Sequence, residues 1–96
     1  MSPRDWGLQV TRQGPGTYAV EVEQSGQRTT HRVRVPEGLA ATLGAEDVAE
    51  EELVAESFRF LLEREPATSI LPSFSLDAIS RYFSDYPEEM ARRLSG

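Results

Sequence analysis

Between residues 6 and 35 the chain alternates apolar and polar positions with a period of two. The stretches Trp6-Gly7-Leu8-Gln9-Val10-Thr11, Tyr18-Ala19-Val20-Glu21-Val22-Glu23 and Thr29-Thr30-His31-Arg32-Val33-Arg34-Val35 all follow it. That period gives a strand one buried and one wetted face. Gln13-Gly14-Pro15-Gly16 is a turn cluster, and Ser25-Gly26 fits a two-residue hairpin loop. The pattern predicts a three-stranded antiparallel meander over about 6–35. Its apolar face carries Trp6, Leu8, Val10, Tyr18, Val20, Val22, Val33 and Val35. The second hairpin also predicts a register: Gln24 opposite Gln27, Glu23 opposite Arg28, Val22 opposite Thr29, Val20 opposite His31 and Tyr18 opposite Val33. A slip of one residue would set Val22 against Arg28 and mix the two faces.

After Pro36 the period lengthens. Residues 37–43 read as a short helical turn stopped at Gly44. Asp47 with Glu50 reads as a capping box, followed by Val54, Phe58, Leu61 and Leu62 at helical spacing, so a helix is expected over about 47–65. Pro66 closes it. Ala67 to Ser73 reads as a connection docked by Ile70 and Leu71. Ser75 then caps a helix over about 75–84, with Phe74 and Ile79 placed as a hydrophobic staple. Asp85-Tyr86-Pro87-Glu88 starts a last helix over about 86–94. The expected fold is α+β, a single domain over 1–96, with two to three C-terminal helices covering one face of the sheet.

Charge adds a division that the hydropathy pattern lacks. The 96-residue chain carries a net charge of −6, split as +2 over residues 1–36 and −8 over residues 37–96. All of its basic residues are arginine, which fits a GC-rich bacterial genome. An acidic chain repels a nucleic-acid backbone, so nucleic acid is a disfavoured partner. The exception would be a local basic face, and Arg28, Arg32 and Arg34 share the outer face of the second hairpin as candidate anion-facing residues. Pairing with Glu21 and Glu23 on the neighbouring strand is the simpler role for them.

The chain contains no cysteine, which excludes disulfides and thiolate chemistry. His31 is its one histidine, on the apolar face of the third strand, and reads as structural. No HExxH, phosphate-cradling glycine loop, calcium loop or nucleophile elbow occurs. The acid run Glu50-Glu51-Glu52 reads as a solvated helix start, and Arg92 and Arg93 as cations at a helix end. No cofactor, metal or catalytic set is therefore expected. No apolar run is long enough to cross a membrane, and a cytoplasmic protein without a membrane partner is the expectation.

The stretch 69–89 is dense in apolar side chains. Phe74, Leu76, Ile79 and Phe83 are assigned to the core. Tyr82 and Tyr86, with Trp6, are candidate contacts for a partner, because a tyrosine can bury its ring and keep its hydroxyl wet. The phrase "SFRFLLEREPATSILPSFSLDAISRYF" (57–83) resembles a segment of small bacterial proteins of unknown function. In those a strand-rich start leads into an "LLEREP"-like helix end and an "S-I-L-x-x-F-x-L-x-x-I-x-x-Y-F" phrase. The resemblance implies no activity, ligand or site residue. The order of sheet and helix is also similar to small antitoxin domains of the partial double-stranded-RNA-binding type, as a fold analogy. The sequence therefore favours a non-catalytic protein-interaction module, bound to another protein or to a second copy through an exposed edge of the first or third strand. The alternatives are an antitoxin-like regulatory nucleic-acid-binding protein and a small-ligand-binding protein or enzyme.

Overall fold

The period-two segments pair as β1 (Trp6–Gly14), β2 (Thr17–Gln24) and β3 (Gln27–Arg34) in an antiparallel meander. The computed structural model describes residues 6–95, with side chains from Gly7 to Leu94. Ser25 (φ 54°) and Gly26 (φ 79°) both take positive φ, as the tight two-residue loop between β2 and β3 demands. The register follows: Glu23 faces Arg28, Val20 faces His31 and Tyr18 faces Val33. Tyr18, Val20, Val22, Val33 and Val35 are buried, and Leu8 and Val10 pack half-buried at the margin of the same core. Trp6 lies in β1, but its side chain is outside the described residues.

The cover begins at α1 (Leu39–Thr42), the short turn expected before Gly44, and continues in α2 (Glu50–Leu62). The expected capping box does not form. Ala49, in an extended conformation, precedes the helix, and no side chain caps it. Two constraints explain this. Ala45 is buried and Val48 packs against the core, and the Val48 N–H bonds the Ala45 carbonyl, so residues 45–48 are held in a turn. Glu50 is also already engaged, since Tyr18 donates its hydroxyl to Glu50 Oε1 at 2.8 Å. The acids Glu50, Glu51 and Glu52 still crowd the first turn, where they suit the dipole.

α2 is buried on more than one side. Val54, Phe58, Leu61 and Leu62 form the expected stripe, but Ser57 and Phe60 are buried as well. The last helix, α4 (Tyr86–Ser95), supplies the second cover. Tyr86 stacks edge-on to Phe60 with ring centroids 5.4 Å apart. Burying each such ring contributes about 1.5–3 kcal/mol.

The region before α4 differs most from expectation. The connection after α2 forms a tight turn at Ala67–Ser69, and the chain then adds a fourth strand, β4 (Ser73–Ser75), parallel to β3. Ser75 therefore ends a strand, and its side chain caps nothing. The expected helix over 75–84 shrinks to a tight turn at Leu76–Ala78 and one helical turn, α3 (Ile79–Tyr82). Packing explains both changes. The parallel pairing sets Phe74 opposite Val33 and brings its ring to 5.9 Å from Phe58. At the other end Phe83 turns extended, so that its ring meets Phe60 edge-on at 5.8 Å. The sheet order is β1-β2-β3-β4, so the outer edge of β3 is partly occupied and β1 is the long terminal strand. Among the described residues no helix is long and apolar enough to cross a membrane.

Candidate interaction surface

An apolar cleft of about 300 Å³ opens between the end of α2, the Ser69–Phe74 segment and α3. Its floor is Leu61, Ile70 and Ile79, all buried. Phe74 and Phe83 form its half-buried walls, and Glu65 is the one acid in its lining. Leu71 and Tyr82 stand on its rim, 51% and 71% exposed, and they are the large apolar side chains that the described residues leave in solvent.

The backbone that carries Leu71 is fixed. His31 is 2% exposed and sits 5.3 Å from the Phe58 ring. Its Nδ1 lies 2.8 Å from the Leu71 carbonyl oxygen, and its Nε2 lies 2.9 Å from Thr29 Oγ1. A carbonyl can only accept, so Nδ1 carries a proton and donates it to Leu71, while Nε2 shares the second bond with the threonine hydroxyl. The neighbouring Pro72 carbonyl accepts from the Arg32 N–H at 2.8 Å. With Ile70 buried on one side and these two bonds on the other, the Leu71 side chain has only solvent to enter. Tyr82 is held similarly: the Phe83 N–H closes the α3 turn onto the Ile79 carbonyl while Phe83 points inward. The assignment of Leu71 to the core is therefore overturned.

The candidate contact residues separate. Tyr82 is on the cleft rim. Tyr86 is 1% exposed and belongs to the core, which corrects its reading as a contact. Its hydroxyl lies 2.8 Å from Ser57 Oγ, which gives its own proton to the Leu53 carbonyl, so Tyr86 donates. Burial pushes the Tyr86 hydroxyl pKa up to about 12. The side chain of Trp6, the third candidate contact, lies outside the described residues.

The arginines of the outer sheet face also separate. Arg28 pairs with Glu23 at 3.2 Å and reaches Glu21 at 3.9 Å. Arg32 and Arg34 are exposed, opposite Ser73 and Ser75, and form no ion pair among the described residues. At the far end of α4, Arg93 is more than a cation near a helix end. It bonds Glu56 and Glu89 at 3.1 Å each, reaches Glu63, and lies 5.6 Å from the Phe60 ring centre. Burial alone would lower its pKa, but the bonds to Glu63, Glu89 and Glu56 outweigh that and hold it up. This hub ties α4 to α2. No local pattern signals it, because Arg93 lies far along the chain from Glu56 and Glu63.

Among the described residues no three His, Asp or Glu side chains converge as a metal site would need, and no buried side-chain polar atom lacks a partner. Comparison with protein-family models, curated proteins and solved structures returned no match.

Proposed function

We propose that the protein is a non-catalytic interaction module that takes an apolar segment of another protein into the cleft rimmed by Leu71 and Tyr82. One observation carries this reading: both large apolar side chains that the described residues leave in solvent stand on the same cleft, on backbone that is hydrogen-bonded in place. Interfaces draw their energy from a few such anchors, tyrosine prominent among them, and a pre-ordered anchor loses less entropy on binding. The outer sheet face supports the nucleic-acid alternative less well, since Arg28 is already neutralised by two glutamates. The volume of the cleft favours a second reading, a small apolar ligand, because about 300 Å³ lies at the lower end of ligand pockets.

The test is affinity capture from a lysate of the source organism, with and without nuclease, comparing the wild type with a Leu71→Ser/Tyr82→Ser variant. The expected result is a near-stoichiometric protein that survives nuclease and is lost from the variant. Both substitutions are at exposed positions and leave the thermal midpoint nearly unchanged. A catch that disappears with nuclease supports the nucleic-acid reading instead. A protein retained equally by the variant removes the cleft from the account.

A further inference from the structure

We infer that β1 is a self-pairing edge, through which two copies of the chain join antiparallel about a two-fold axis at Gln9 and double the four-stranded sheet. This inference is independent of the cleft. Among the described residues β1 has β2 as its only strand neighbour and runs for nine residues, whereas β4, at the other end of the sheet, runs for three.

The direction of its backbone groups follows from the hairpin. A two-residue loop makes Gln24 and Gln27 a hydrogen-bonded pair, and antiparallel pairs alternate. Val22 and Val20 then bond towards β3, while Glu23, Glu21 and Ala19 bond towards β1. Their partners Gly7, Gln9 and Thr11 are satisfied by β2. The N–H and C=O groups of Leu8, Val10 and Arg12 therefore point out from the free edge.

Proteins normally blunt such an edge with proline, lysine, inward charges or a bulge. β1 has no proline, no lysine and a single charge, Arg12; its one irregularity is the register shift between Arg12 and Gly14, past the useful stretch. The side chains at this edge are also unfinished. Leu8 and Val10, whose backbone groups face the free edge, are only half-buried at the margin of the core.

The register selects a second copy as the occupant. With the axis at Gln9, the outward-pointing Leu8 pairs with Val10 of the other copy, and Val10 with its Leu8, so apolar meets apolar twice. On the outer face Gly7 comes opposite Thr11 of the other copy. A Cβ at Gly7 would meet nothing within 4 Å, so the threonine has room there. An axis at Val10 would instead set Leu8 against Arg12. One strand pair with two apolar contacts is small beside a standard interface of about 1,600 Å², so the dimer is concentration-dependent.

The chain has no cysteine, so one introduced thiol is unique. At Gln9 the axis creates a non-hydrogen-bonded pair with Cα atoms about 4.5 Å apart, inside the roughly 4.4–6.8 Å that a disulfide spans. Under mild oxidation Gln9→Cys should form a covalent dimer about tenfold faster or more than Thr30→Cys on the same outer face, because the paired thiols react within one complex. Sedimentation equilibrium should find wild-type monomer and dimer exchanging with concentration, and Gln9→Lys shifted to monomer. That substitution places two cations across the axis, yet within one copy it lies beside Glu21. Equal cross-linking of the two cysteine variants overturns the inference. So does a wild type that stays monomeric, or a dimer indifferent to Gln9→Lys.

Discussion

Tyr82 and Tyr86 lie close in sequence and have opposite environments. Tyr82 is in solvent at the rim of an apolar cleft, whereas Tyr86 is sealed between Phe60 and Ser57. The difference has a measurable consequence. The hydroxyl pKa of Tyr86 in the folded chain, about 12, lies above its ordinary value of 10.0. The unfolded chain therefore releases this proton first. The stabilisation is complete below pH 10 and declines as pH rises towards about 12. Tyr86→Phe should lower stability at neutral pH by about 0.5–1.5 kcal/mol through the lost hydrogen bond. It should also flatten the alkaline decline relative to the wild type, read by urea titrations between pH 9 and pH 12. Tyr18, whose pKa is also pushed up to about 12, by burial and by Glu50, is unchanged in both proteins and cancels in the comparison.

At the scale of elements, the junction of α2 and α4 rests on two kinds of contact, the Phe60–Tyr86 rings and the Arg93 hub with Glu56, Glu63 and Glu89. The bonds from Arg92 and Arg93 hold the Glu89 carboxyl below its ordinary 4.5. That stabilisation is present above pH 4.5 and is lost as pH falls through the lowered folded value. Arg93→Met should cost about 1–2 kcal/mol at pH 7, discounted for the exposure of Glu63. It should also remove part of the wild type's decline as pH falls below 4.5. An acid profile as steep in the variant as in the wild type would remove the hub from the explanation.

The same scale shows where the sequence was informative. The meander, its register, α1 and the starting position of α4 were legible because period-two alternation, a two-residue loop and a proline in a first turn are local signals. β4 was not. Ser73-Phe74-Ser75 is too short to show a period, and its pairing is set by residues far away in the chain, Arg32 to Arg34. Helical spacing over Leu76, Ile79 and Phe83 was real, but Phe83 is bound into the core by Phe60 and takes the chain out of the helix. Of the candidate surface, Tyr82 was legible as an amphipathic ring in an apolar run. Leu71 was not, because its exposure depends on the hydrogen bond from His31.

For the whole molecule, sheet and helices divide the labour. The sheet's inner face and both sides of α2 form one hydrophobic core. Its terminal strand β1 is the edge proposed to pair with a second copy, and the cleft lies at the other end of the sheet, beside β4. The two surfaces are separated by the width of the sheet, so self-pairing leaves the cleft open to a partner. The central claim, that the cleft is where the partner binds, is tested most directly by photo-cross-linking in cells of the source organism. A benzoylphenylalanine is placed in turn at Tyr82, at Leu71 and at Thr30 on the outer sheet face. The account predicts one discrete protein adduct, the same from Tyr82 and Leu71, and none of that mass from Thr30. Adducts from Thr30 with none from the cleft would contradict it.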